Sequence, residues 1–263
     1  MKLNCNERQI KNTIDGFRKD YHSDYLIVRE LSKKYMSDSN PNISTVSALA
    51  RGLRQVLINW GAGQRKAPKP RGVNDLEKAL NDPVLQADLV EIAKIKIPRL
   101  GVSGVERLID KQKPKPDILK AIDTRLICAL NCLAEKIFID NTSVTYPMKA
   151  ALLLTAHMPA FDGNVRKGLK RGGFTGFCST QFMLPKNTDS ADSKKITSVP
   201  YILGKCWDNF EGIFTEGIRK SNYPGLLEEP ARVFDILLFM QAKTTLPVLL
   251  EHSDGHDKWY ELR

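Results

Sequence analysis

The sequence predicts an all-α protein, and three observations carry that expectation. Apolar residues recur every three to four positions through most of its 263 residues, the period of a helix with one buried face. Asn, Asp, Pro and Gly gather between those runs, where they end one helix and cap the next. A β-branched stretch appears only at residues 196–201, which predicts one short strand.

From Glu7 to Met36, Ile10, Ile14 and Phe17, then Leu26, Ile27, Leu31 and Tyr35, predict two helices broken around Tyr21 to Asp24. A turn cluster at residues 37–42 leads to a helix capped by Ser44 or Thr45 and running to Trp60, with Val46, Leu49, Leu53, Val56 and Leu57 as its stripe. Residues 61–72 then form a loop, where glycines stop the helix, prolines stiffen the exit and four basic residues occur with no acid. Two more helices follow from Asp75 to Ile97, parted at Asp82-Pro83. A glycine turn at Gly101 to Gly104 and a proline-broken linker at residues 111–117 precede a long helix from Ile118 or Asp123 to Phe138. The turn at residues 140–147 opens a helix from Met148 to His157, apolar on most faces and so expected to be buried on most faces. Further on, residues 187–195 read as an exposed loop, and Tyr201 to Ile218 as a helix that ends before Tyr223-Pro-Gly225. Glu229 to Met240 predicts a last helix with Pro230 in its first turn, followed by a polar tail holding His252 and His256.

Composition bounds the function. Forty Lys and Arg against thirty Asp and Glu leave a formal charge of +10 and a pI near 9.3, with 42% hydrophobic residues to build a core. A positive balance of that size favours a polyanionic partner, nucleic acid before others; a basic surface serving solubility alone is the competing reading. The five cysteines, Cys5, Cys128, Cys132, Cys178 and Cys206, form no Cys-x-x-Cys pair and no Cys/His cluster, so neither a metal nor another cofactor is expected. Cys128 and Cys132 sit among leucines and isoleucines, where buried free thiols are expected. The polar amino-terminal stretch and the lack of a membrane-length apolar run predict a cytoplasmic protein.

The chain turns distinctive at residues 150–171, where an apolar run breaks at Pro159 and restarts at Asp162 as a short basic helix. Asp162 can cap that helix, accepting an N–H of its first turn. Arg166, Lys167, Lys170 and Arg171 follow on roughly one face, a candidate contact for a phosphate backbone. The loop residues Gln64, Arg65 and Lys66 are the second candidate nucleic-acid contact. For Asp162 alone, a helix cap and a functional carboxylate both fit the spacing.

The stretch Pro159-Ala-Phe-Asp-Gly-Asn-Val-Arg-Lys-Gly-Leu169 resembles the segment that follows the hairpin in the helix–hairpin–helix DNA glycosylase superfamily, especially its adenine glycosylase branch. The resemblance covers about a tenth of the chain and implies a two-lobed helical body. Residues 45–172 would form a central lobe, residues 1–44 and 173–263 a terminal lobe, and a basic cleft would lie between them in a single compact domain. It implies Asp162 as the catalytic carboxylate, with Thr142 and Ser143 in the hairpin that contacts double-stranded DNA. The hairpin here, Asn141-Thr-Ser-Val-Thr-Tyr146, lacks the family's glycine. The Schiff-base lysine of bifunctional members would fall near Val144, with Lys149 further along the helix. The implied activity is therefore monofunctional hydrolysis of an N-glycosidic bond after base flipping. A DNA-binding module without chemistry and a helical protein–protein adaptor are the alternatives.

Overall fold

A computed structural model of the chain describes residues 1–38, 40–95, 116–174 and 183–252. The fold is all-α. The helices are α1 (Glu7–Asp15), α2 (Lys19–Ser37), α3 (Ile43–Asn59), α4 (Val73–Leu80), α5 (Pro83–Lys94), α6 (Pro116–Ile137), α7 (Thr145–Thr155), α8 (Gly163–Arg171), α9 (Ala191–Arg219) and α10 (Pro230–Gln241). Two antiparallel pairs of two-residue strands fasten distant segments: β1 (Lys2–Leu3) with β4 (Leu250–Glu251), and β2 (Lys69–Pro70) with β3 (Phe138–Ile139). The expected turn at Gly101 to Gly104, Cys178, His256 and most of the expected linker lie outside the described residues.

Local chemistry sets most helix starts. Asn6 and Gln9 form a reciprocal capping box on α1. Asn42, ahead of the expected Ser44 or Thr45, caps α3 by accepting the Thr45 N–H at 2.9 Å. Asp82 accepts the N–H groups of Val84 and Leu85 at the head of α5, where Pro83 takes a first-turn position that needs no donor.

Four expectations are corrected. The first break falls at residues 16–18 rather than Tyr21 to Asp24, because His22 is buried against α1 with Nε2 3.1 Å from the Ile14 carbonyl, which keeps residues 21–24 helical. Residues 196–201 belong to α9, not to a strand, and that helix starts at Ala191 inside the expected loop, capped by Ser190. Ile196, Val199, Ile202, Leu203 and Cys206 are all buried at helical spacing, so packing overrides the β preference of single residues. Cys128 is exposed and Cys132 half-buried, since α6 turns Leu126, Ile127, Leu130 and Leu133 inward, which leaves Cys128 outside and Cys132 at the edge of the core.

One continuous apolar core runs through all the helices. Around it, α2 packs on α3 and α7, while α5 and α6 close on α7. On the other side α1 lies against α9 and α10, and α8 lies on α10. Packing thus groups α2 with the central helices and α8 with the terminal ones, across the lobe boundaries drawn from the sequence.

The α8–α10 contact is backbone to backbone. A Cβ at Gly168 would stand well inside van der Waals contact with the Leu238 carbonyl. Gln241 completes the seam: its Nε2 donates to the carbonyls of Gly168 and Leu250 at 2.8 Å, and its Oε1 accepts the N–H groups of Leu249 and Leu250. Gly168→Ala must push two helices apart, and overpacking of this kind typically costs about 1–3 kcal/mol. Urea unfolding should show at least that loss; an unchanged midpoint would mean the helices do not touch there.

Candidate functional site

The site begins at the end of α7. Ala156 takes a left-handed conformation (φ 52°) and closes the helix by donating to the Leu152 carbonyl. From α2, Arg29 and Ser32 donate to the freed Leu154 carbonyl at 2.5 and 2.6 Å. Arg29 is itself paired with the buried Glu229 at the head of α10, which also accepts from Tyr25 at 2.9 Å and pairs with Lys33 at 3.1 Å. The chain then crosses to α8 through residues 156–162. The Ala160 N–H donates to Asp235 Oδ1 at 3.0 Å and the Phe161 carbonyl accepts from Thr145 Oγ1 at 3.1 Å. Asp162, held from both sides, caps α8: its Oδ1 accepts the N–H groups of Asn164 and Val165, each at 2.9 Å.

A narrow cleft of about 30 Å³, room for a water molecule, opens beside it, walled by Phe17, Tyr21, Trp60 and Phe239, with Lys149, Asp162, Arg232 and Asp235 as its polar groups. Lys149 is the one charged residue of α7 and is 8% exposed, its Nζ donating to the Trp60 carbonyl at 2.8 Å. Arg232, 2% exposed, donates to Asp235 Oδ2 at 2.5 Å and to the Tyr21 carbonyl at 3.2 Å, and its guanidinium lies 4.8–5.1 Å from the ring centres of Phe17, Tyr25 and Trp60. Such cation–π contacts stabilise a desolvated guanidinium. Arg232 Nε and Trp60 Nε1 are buried donors with no partner among the described residues.

Asp162 is the electrostatic centre of this group. Burial pulls the Lys149 ammonium below its ordinary value, against the charges of Asp162 and Asp235. Burial lifts the Asp235 carboxyl to about 6, with Arg232 opposing and Asp162 adding to the rise. Burial also pushes the Tyr146 phenol up to about 12, helped by Asp162, and lowers Arg166, which Asp162 partly restores.

The other sequence-derived candidates divide. Lys167 and Lys170 are exposed on α8 and Arg166 is half-buried. Arg171 is directed into the body, donating to the carbonyls of Gln241, Lys243 and Thr244 at 2.9, 2.5 and 3.4 Å, so it fastens α8 rather than sharing the outward basic face. Gln64, Arg65 and Lys66 are exposed at the tip of the loop that leaves Trp60, and Arg65 takes a left-handed φ of 52°. Just ahead of the glycine-free hairpin Asp140 takes a left-handed conformation (φ 51°), which its side chain tolerates better than most. Thr142 is exposed with its carbonyl accepting from the Leu184 N–H, and Ser143 Oγ accepts from Thr145 N–H. The residues missed from sequence are Trp60 as a cleft wall, Lys149, Arg232 and Asp235. A lone lysine in an apolar helix and an i,i+3 Arg/Asp pair in another were the signals for the last three.

Among the described residues no group of three or more His, Cys, Asp or Glu is placed to hold a metal ion, and no described helix is long and apolar enough to cross a membrane. No protein-family model, curated protein or solved structure matches the chain.

Asp235→Asn should remove a pH dependence of defined sign. A carboxyl with a folded pKa of about 6 rather than 3.8 keeps its proton in the folded chain after the unfolded chain has lost it. The contribution of Asp235 to stability therefore falls as pH rises across that window and levels off above it. His22, which burial lowers to about 4, titrates over the same window with the opposite sign in both chains, so the measurement is a difference: by urea unfolding, the stability of the native chain less that of the variant should fall across the window, and a flat difference would mean that the carboxyl is not shifted.

Proposed function

We propose that the chain is a DNA-binding hydrolase of N-glycosidic bonds, with Asp162 as its catalytic carboxylate. The observation that carries the reading is the setting of Asp162. One oxygen is committed to capping α8, and the carboxylate sits at an aromatic-walled cleft beside a buried amine. Flat apolar walls suit an extruded base, which stacks on aromatic faces, and a fixed carboxylate suits the positive charge that develops on the sugar as the bond to the base breaks. Water then adds to the sugar carbon, keeping one hydrogen as the new hydroxyl, while its other proton passes to the departing base.

Two exposed basic segments leave directly from cleft residues, the loop carrying Gln64, Arg65 and Lys66 from Trp60, and the helix carrying Lys167 and Lys170 from Asp162. This reading places the DNA backbone across both, with Thr142 and Ser143 alongside. Affinity for duplex DNA should then fall steeply with salt, the slope growing by about 0.9 for each phosphate contacted.

Asp162→Asn is a clean test, because Asn caps a helix about as well as Asp. The variant is expected to fold and bind as the native chain does while losing strand-labile abasic products from a panel of damaged duplexes. Full activity in the variant would return Asp162 to the role of a cap, and absence of binding even at low salt would leave the helical adaptor as the better reading.

A second reading has its own observation. The Lys149 amine lines the cleft with Asp162, and its burial favours the neutral, nucleophilic form. In this reading the amine attacks the sugar carbon, the bond to the base breaks and the base leaves with the proton lost by the amine, and opening of the sugar ring at its oxygen then gives an imine. Borohydride is expected to trap that adduct on a duplex with an abasic site for the native chain and not for Lys149→Met. No adduct in either would restrict the enzyme to hydrolysis.

A further inference from the structure

We propose that the turn after α10, residues 243–245, is a third phosphate contact of the DNA surface, with Lys243, Thr244 and Thr245 as its donors. The proposal rests on the reading of the chain as a DNA binder and adds a contact that no basic run in the sequence marks.

The turn is wound around a guanidinium. Arg171, the last residue of α8, donates through Nη1 to the carbonyls of Gln241 and Lys243 at 2.9 and 2.5 Å, and through Nη2 to that of Thr244 at 3.4 Å. A trans peptide directs its N–H opposite to its carbonyl. The N–H groups of Thr244 and Thr245 belong to the peptides whose carbonyls Arg171 holds, so both are turned away from the guanidinium. Those of Ala242 and Lys243 bond back to Leu238 and Met240, whereas those of Thr244 and Thr245 have no partner among the described residues. Lys243, Thr244 and Thr245 are all exposed. The outer side of the turn thus presents two N–H groups, two hydroxyls and an ammonium, while the carbonyls of Lys243 and Thr244, which would repel an anion, face inward.

Charge decides whether an anion can approach. The turn follows the C-terminus of α10, the negative end of a helix, equivalent to about half a unit charge. Arg171 sets a full positive charge against that end, so the end no longer opposes an anion. Lys167 precedes Arg171 by one helical turn on the same face of α8, and Lys170 adjoins it; both lysines are exposed. A backbone that runs along α8 passes the turn next. Cations spread over two elements, rather than converging on one point, suit a chain of phosphates more than a single one.

Duplex affinity is measured against salt for the native chain, for Lys243→Ser and, as a control of equal charge, for Lys78→Ser, an exposed position of α4, which packs on α3, α5 and α6. The slope of log affinity against log salt is expected to be shallower by about 0.9 in Lys243→Ser, one phosphate fewer, and unchanged in Lys78→Ser. In parallel, inorganic phosphate is titrated into the chain without DNA, at constant ionic strength, while the amide resonances of Thr244 and Thr245 are followed. A saturable shift is expected in the native chain and its loss in Arg171→Met, which unties the turn and keeps Lys243. The shallower slope in Lys243→Ser alone supports the proposal. Duplex binding with an unchanged slope in that variant, or with an equal change in Lys78→Ser, overturns it and leaves the DNA reading standing. A shift that survives Arg171→Met overturns the role given to Arg171. If the duplex does not bind even at low salt while the shift appears, the DNA reading falls and the turn remains a site for a smaller phosphate; with neither binding nor shift, both fall.

Discussion

The approach of α8 to α10 at Gly168 is the constraint on which the site depends. With no side chain between the two backbones, α8 lies low enough for Gln241 to bond both Gly168 and the β4 strand. Arg171 fastens the other end of α8 to the turn after α10. The head of the helix is then fixed, and with it the Asp162 carboxylate, relative to the two charged residues that α10 turns inward. A hydrophobic seam of larger side chains would hold the helices together as well but further apart.

The protein also keeps ions where a core would be more economical without them. Arg29, Glu229, Arg232 and Asp235 are each at most 5% exposed. Burying such pairs is weak evidence for stability, since apolar substitutes often serve as well, whereas breaking one is strongly destabilising. Their placement is what matters: Arg29 and Glu229 join α2, α7 and α10, and Arg232 with Asp235 holds Tyr21 and Ala160 at the cleft wall. Directional groups fix a geometry that interchangeable methyl groups would let slide.

Much of the helical architecture was legible because it is local. The periodic stripe of α3, Asp82-Pro83 before α5 and Pro230 at the head of α10 declare themselves within a few residues. Asp162 was legible as a cap for the same reason. What escaped depends on distant segments. The β-branched run at residues 196–201 is helical because neighbours bury it on all sides. Lys149 matters because its amine crosses to the Trp60 carbonyl, 89 positions away in the chain, and Arg232 because three aromatic rings from the first sixty residues surround it. No short-range pattern encodes those meetings.

The pairing of Lys2 with Glu251 joins segments almost 250 residues apart. During synthesis, β1 and the apolar face of α1 must wait for α9, α10 and β4 to leave the ribosome, while α2 to α7 can already bury their stripes on one another. Long-range closure of this kind is entropically slow. The order in which the chain matures is thus written into its topology: the wall of the cleft built from Trp60 and Lys149 is assembled early, and the wall carrying Arg232 and Asp235 closes over it last.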